Sequence, residues 1–202
     1  MTIGAVKLIT NGIYSPSEYM KERQPFTRHL SPEYLLLGLL AVSPSHGYDL
    51  HQQIERDLRY VWRLSLSQVY NVLARLEDRG MIEGEVLEQE ERPDRKLFRL
   101  TPQGEQHFKT WYESPVGASV HAIRIAFLSK LYLAQCMPQA DASKLWEDQY
   151  AVIKAGLDRF QRRLLENSDA HPIRQQSLRL RILQLETLLS WLAEWKQDLI
   201  PS

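Results

Sequence analysis

The spacing of apolar residues changes rhythm three times along the chain. Tyr34, Leu35, Leu36, Leu37, Leu39, Leu40 and Val42 crowd most sides of a segment that Ser31 and Pro32 mark as a helix start, so a largely buried helix is expected. Ser43-Pro44-Ser45 breaks it, and a second helix from Gly47 is expected to carry Tyr48, Leu50, Ile54 and Leu58 on one face. Ser65 and Gln68 have the form of a capping box that opens a third helix, which Gly80 stops in a left-handed conformation. In that helix Leu66, Val69, Leu73 and Leu76 recur at helical spacing and should face inward, leaving Ser67, Gln68, Asn71 and Arg75 on the other side.

The period then shortens to two. Ile82, Val86 and Leu87, then Leu97 and Phe98, predict strands over Met81 to Leu87 and Lys96 to Leu100, joined by a polar tip from Gln89 to Asp94. Thr101-Pro102 opens a fourth helix bearing Phe108, Trp111 and Tyr112, which Ser114-Pro115-Val116-Gly117 ends. The helical period governs everything after that. One helix is expected from Ser119 to Gln135, one opened by Pro138 and running to about Glu166, and one from Ile173 to near Leu199.

Three helices, a hairpin and a fourth helix are the parts of a winged helix-turn-helix. The expected fold is therefore mainly α. A winged helix over residues 31–117 is followed by an all-α dimerisation and effector region over 118–202. Residues 1–30 form an arm in which Pro16 to about Arg23 reads as a short helix stopped by Pro25. Whether that arm is a tail or packs on a partner subunit is left open.

Composition narrows the function. Twenty-five basic and 25 acidic residues give a net charge of zero, so any grip on nucleic acid must come from locally placed charge. The single cysteine, Cys136, excludes an intrachain disulfide and a cysteine metal cage, and reads as a small buried hydrophobe. The longest apolar run, Tyr34 to Val42, falls short of the about 18 residues needed to span a bilayer. No basic start precedes an apolar stretch at the N-terminus, so a soluble cytoplasmic protein is expected, without membrane partners. Glycine-rich phosphate loops, helical histidine pairs and nucleophile elbows are missing, so neither an enzyme nor a cofactor or metal is expected. The rival enzyme reading needs a site assembled from distant residues, and detected turnover would be its support.

Asparagine and glutamine amides can pair with adenine, and arginine with guanine or phosphate, so the outward face of the third helix is either a DNA reader or an ordinary solvated face. Arg92, Arg95 and Lys96 would make the hairpin tip a phosphate grip, whereas Glu83, Glu85, Glu88, Glu90 and Glu91 make much of the hairpin acidic. Ile182, Leu185, Leu189, Leu192 and Leu199 follow a three-four spacing that suits packing on another helix and are the expected dimer seam. Leu188, Trp191 and Trp195 form a second stripe. It reads first as core; Trp191 and Trp195, with Trp111, are also the candidate walls for a small aromatic or apolar effector.

Three segments carry a family resemblance. Ser43-Pro44-Ser45-His46-Gly47-Tyr48-Asp49-Leu50 resembles the Gly-Pro-x-x-Gly-Tyr-Glu-Ile segment of the PadR family of winged-helix regulators. Trp62 to Ile82 resembles its Trp…Ser…Tyr-Pro-x-Leu-x-x-Leu-Glu-x-x-Gly-Leu-Ile segment, and Arg99 to Gly104 its Tyr-x-Leu-Thr-Pro-x-Gly exit from the wing. Asn71 stands where that pattern has proline and Ser43 where it has glycine, so the DNA preference is expected to be unusual while the fold is not in question. The resemblance implies a homodimer built by C-terminal helices, binding double-stranded DNA at a palindromic operator. Tyr48 and Tyr70 complete the expected DNA surface. Repression is the expected outcome, with activation as the alternative and a protein-binding adaptor, favoured by the acidic hairpin, as the other.

Overall fold

The structure is a computed structural model that describes residues 30–87, 95–137, 140–166 and 171–199, and not the side chains of Leu87, Arg95 and residues 196–199. The expected arm with its Pro16–Arg23 helix lies outside the described residues, as does Arg92 with the hairpin tip from 88 to 94.

Helix α1 (Pro32–Val42) starts where Ser31 Oγ accepts the amide N–H of Glu33 at 3.3 Å, with proline at the first position. Leu35, Leu36, Leu37, Leu39 and Leu40 are all buried, so α1 is the central rod of the N-terminal half. Gly38 lets its neighbours close in, since a Cβ there would lie 2.4 Å from a methyl of Leu133 and 2.9 Å from the Phe108 ring. Strand β1 (Ser45–His46) follows, then α2 (Gly47–Asp57), a turn over residues 58–65, and α3 (Leu66–Asp78). Gly80 closes α3 with φ of 67°, the left-handed geometry that glycine tolerates.

Strands β2 (Ile82–Leu87) and β3 (Arg95–Leu100) form the hairpin. The sheet has three strands in the order β1-β3-β2, all antiparallel. The expected break at Ser43-Pro44-Ser45 thus ends in a strand, with Ser45 opposite Phe98 and His46 opposite Leu97. Two residues are too few for alternation to be visible in a sequence.

The segment after β3 explains its own composition. Thr101 accepts the Gly104 N–H at 3.1 Å, capping α4 (Pro102–Glu113), and donates its hydroxyl to the Gly80 carbonyl at 2.7 Å. A Cβ on Gly104 would stand 1.9 Å from the Met81 carbonyl oxygen, so glycine is required where α4 starts against the sheet.

The next expected helix is interrupted. Ser119 caps α5 (Val120–Ala122), a π-helical turn runs over Ile123–Phe127, and α6 (Leu128–Cys136) continues it. Helix α7 (Ala142–Glu166) begins just after Asp141, whose carboxylate accepts the Lys144 N–H at 2.9 Å; Pro138, the expected start, lies outside the described residues. Helix α8 (Pro172–Leu199) returns antiparallel to α7, for Trp146 near the start of α7 donates its indole N–H to the Leu192 carbonyl near the end of α8 at 3.0 Å.

Helix α6 ties the two halves together. Trp62 in the turn before α3 donates to Ser129 Oγ at 2.8 Å, and Ser129 donates to the Ile125 carbonyl inside the π turn at 2.6 Å. Lys130 beside it is 1% exposed. Its ammonium donates to the Ser114 carbonyl at the end of α4 and lies 4.8 Å from the Trp111 ring centroid. Burial without a carboxylate partner disfavours its charge and pushes its pKa down to about 7.

This makes stability depend on pH. Between about 7 and the ordinary 10.5 the unfolded chain holds a proton at Lys130 that the folded chain has released, so stability rises with pH across that window. Lys130→Met should therefore be more stable than wild type at pH 6, by a few kcal/mol on the order set by a shift of this size. Urea midpoints measured from pH 6 to 10 should show that advantage shrinking as pH rises. A constant difference would contradict the buried, uncompensated charge.

Candidate nucleic-acid interface

Helix α3 owes its orientation to one face. Val69, Val72, Leu73 and Leu76 are each at most 4% exposed, and Leu66 is half-buried. Val72 joins the expected inward set because a helix steps 100° per residue, which puts it about 60° from Val69 and about 40° from Leu76, on the edge of the same face. The opposite face is exposed: Ser67, Asn71, Ala74 and Asp78 run down its middle, with Tyr70 on one flank and Gln68 and Arg75 on the other. The sequence reading passed over Ala74. A small side chain in the middle of a polar stripe is the signal, because it lets a facing surface come close.

The helix start is pre-formed. Ser65 Oγ accepts the Gln68 N–H at 3.3 Å while Gln68 Oε1 accepts the Ser65 N–H at 2.8 Å, completing the expected capping box. The carbonyl end of Gln68 is thus engaged, and its NH2 group remains to donate. Ser67 Oγ lies 3.0 Å from Ser65 Oγ. Asn71 has no hydrogen-bond partner among the described residues, so both ends of its amide are available.

Helices α2 and α3 meet closely. A Cβ on Gly47, the first residue of α2, would lie 2.7 Å from the Tyr70 ring and 3.1 Å from Leu73, so the tyrosine lies against bare backbone. Tyr48, next in the chain, does not share the face of Leu50 and Ile54 as expected. It sits about 160° from Leu50 around the helix, is 53% exposed, and accepts a bond from Gln52 Nε2 at 2.9 Å. Tyr48 and Tyr70 both present exposed rings near the start of α2.

The basic candidates fare unevenly. Lys96 does not project freely from the wing. Its stem lies over Gly84, where a Cβ would come within 2.1 Å of it, and its ammonium bonds Glu77 Oε2 at 2.7 Å, locking the hairpin to α3. Arg75 faces Glu33 of α1 at 3.7 Å, and Arg79 holds the same carboxylate at 2.9 Å. Arg99 pairs with Glu85 at 2.7 Å across the strands, so part of the expected acidity is neutralised within the hairpin. The side chains of Arg92 and Arg95 lie outside what is described.

In the helical half the expected seam divides. Leu185 and Leu192 are fully buried in the chain's own core, and Ile182 and Leu189 are half-buried against it. A three-four stripe serves an intrachain helix hairpin as well as a dimer, and α7 covers it here. The Leu199 side chain lies outside the described residues. The opposite face of α8 carries Ile173, Leu180 and Leu183 at 69%, 55% and 61% exposure.

The aromatic candidates are mainly core. Trp111 is 3% exposed and stacks on Tyr34 with centroids 5.0 Å apart. Trp191 and Trp195 form a half-buried pair at 5.1 Å. A cavity of about 460 Å³ lies elsewhere, lined by Ala41, Phe108, Tyr112, Met137 and Ala140 with Glu105 and Lys109 among its walls. The Tyr112 hydroxyl is buried without a partner among the described residues, and burial raises its pKa to about 12. The described residues hold no cluster of three or more histidine, cysteine, aspartate or glutamate side chains able to bind a metal.

Residues 36–110 match the family described as Transcriptional regulator PadR-like family. The chain is 30% identical over 131 residues to the negative transcriptional regulator PadR of Bacillus subtilis (strain 168), covering 64% of this chain and 70% of that one. Among solved structures, Bacillus subtilis PadR in complex with operator DNA is 26% identical. That match covers 80% of this chain and 94% of the other at a TM-score of 0.40. A PadR-like transcriptional regulator from Bacillus cereus is 22% identical, covering 83% and 95%, at a TM-score of 0.38.

Proposed function

This chain belongs to the PadR-like family of transcriptional regulators, and from that premise we propose that it is a cytoplasmic homodimeric repressor reading a palindromic DNA operator with α3 of each protomer. The observation that carries the reading is the one-sided burial of α3, which turns Ser67, Asn71 and Ala74 outward in the middle of its exposed face. Such a helix fits a major groove, where Asn71 would pair with adenine and Ala74 would admit a thymine methyl. Tyr48, Tyr70, Gln68 and Arg75 flank that line. Arg75 can leave Glu33 for DNA because Arg79 keeps that carboxylate paired. Arg92 and Arg95 remain candidates for the wing, while Lys96 serves to hold the wing on α3. Repression is the sense favoured by the relative of 30% identity, which is named a negative regulator. No helix among the described residues is long and apolar enough to cross a membrane.

The division of labour follows the same lines. Residues 31–117 bind DNA, and 118–202 dimerise and sense an effector. A second copy seats on the outer face of α8, where Leu180 and Leu183 are exposed. That face suits itself: Arg179 precedes Leu183 on it, and Glu186 and Glu194 follow. Two α8 helices laid antiparallel with Leu183 near the axis would bring opposite charges together. The effector, small and aromatic or apolar, takes the cavity lined by Phe108, Tyr112 and Met137.

The DNA reading is tested by selecting bound sequences from randomised duplex with wild type and with Asn71→Ala. Wild type should enrich one palindrome, and the variant should lose preference at one position per half-site, worth about 1–3 kcal/mol, while nonspecific binding is unchanged. Failure of wild type to enrich any sequence would remove the operator reading, and an identical profile for the variant would remove Asn71 from it. For the dimer, Leu180→Glu with Leu183→Glu should give folded monomers by light scattering and circular dichroism, losing only the concentration-dependent part of the melting temperature. Leu189→Glu should instead lower the melting temperature, since Leu189 packs on the chain's own core. An intact dimer in the double variant would place the seam elsewhere.

A further inference from the structure

A DNA-binding surface on a chain of zero net charge needs cations that are free to leave their own protein. Near α3 most are engaged: Arg75 and Arg79 with Glu33, Lys96 with Glu77, and Arg99 with Glu85. Arg56 is held by Asp57 through two bonds of 2.8 and 3.0 Å. Asp57 also accepts from Tyr132 of α6 at 2.7 Å, and these two donors, Arg56 first, hold its carboxyl below the usual range. Arg59 and Arg63 are different. Both are exposed, and neither has an ion-pair partner among the described residues. Both lie in the turn that leads into α3.

The turn is built to present them. Trp62 and Leu64, on either side of Arg63, are each 9% exposed. The indole of Trp62 is hydrogen-bonded to Ser129, and the Leu64 carbonyl meets His51 Nε2 at 3.0 Å. The backbone at Arg63 is therefore pinned from both sides, two residues before the Ser65 cap. Arg59 lies 4.6 Å above the Tyr60 ring and donates to its hydroxyl. That ring is 78% exposed, so hydrophobic burial does not explain it. It braces a guanidinium that would otherwise sample many rotamers.

We propose that Arg59, Tyr60 and Arg63 form a phosphate-binding clamp for the DNA strand beside the leading end of α3. The clamp rests on the DNA-binding reading and adds backbone contacts at the leading end of α3 to those proposed for the wing. Two guanidiniums and a phenol hydroxyl can all donate to phosphate oxygens. Being phosphate contacts, they position the protein without reading sequence.

The test uses the full chain and random-sequence duplex DNA, with affinity measured by fluorescence anisotropy from 50 to 300 mM salt. Arg59→Ala with Arg63→Ala should make the plot of log affinity against log salt shallower by about 1.8 per protomer, about 0.9 for each lost contact. Arg63→Gln alone should remove about 0.9, and Arg59→Lys with Arg63→Lys should restore most of the wild-type slope. Operator base preferences should be the same in all of them. An unchanged slope in the alanine pair and in Arg63→Gln, with wild type binding normally, overturns the clamp alone. Absence of duplex binding by wild type at low salt overturns the DNA reading and the clamp with it.

Discussion

Four side chains on one face of α3 set the terms for the rest of this fold. Val69, Val72, Leu73 and Leu76 are sealed against α1, α2 and the sheet, each contributing on the order of 2 kcal/mol by leaving water. Turning the helix by one residue would expose part of that set, so the outward line of Ser67, Asn71 and Ala74 is fixed as firmly as the core is. The other devices around α3 protect the same orientation. Gly47 admits Tyr70, the Ser65–Gln68 box sets the first turn, and the Lys96–Glu77 pair holds the wing to the last.

Charge is used sparingly and locally. Equal numbers of acids and bases leave no global field to draw the chain to DNA. The N-terminal half then commits several of its cations to holding its own elements in place. What is left exposed and unpaired among the described cations of that half stands in the turn before α3. The helical half shows a different use of charge, with Lys130 buried at the joint between the end of α4 and α6. Ser129 and Tyr132, its neighbours, reach Trp62 and Asp57 on the other side. Helix α6 is thereby hydrogen-bonded to the segment that carries the proposed clamp.

Much of this was legible in the sequence. Caps spoke plainly: Ser31, Ser65 and Thr101 each start the helix expected of them, because an orphan N–H must find an acceptor nearby. The outward face of α3 followed from periodicity. Ion pairing did not, since Lys96 and Glu77 are 19 residues apart and meet only across the packed hairpin. Nor could periodicity say which partner covers an apolar stripe: Leu185 and Leu192 read as a dimer seam, yet α7 of the same chain takes them. Helix α8 is apolar on two opposite faces, and only the fold distinguishes the inner from the outer. The π turn at Ile123–Phe127 leaves no local signature, because one extra residue in a helix alters no cap or breaker.

Ala74 lies in the middle of the surface on which the account turns, and it is small enough to replace without disturbing the core. A photo-crosslinker attached at Ala74→Cys in a Cys136→Ser background should join bases of bound duplex DNA, whereas the same reagent at Ala155→Cys, on the exposed side of α7, should not. If the label at position 74 stays uncrosslinked and solvent-accessible while DNA is bound, α3 does not face the DNA and the account is wrong.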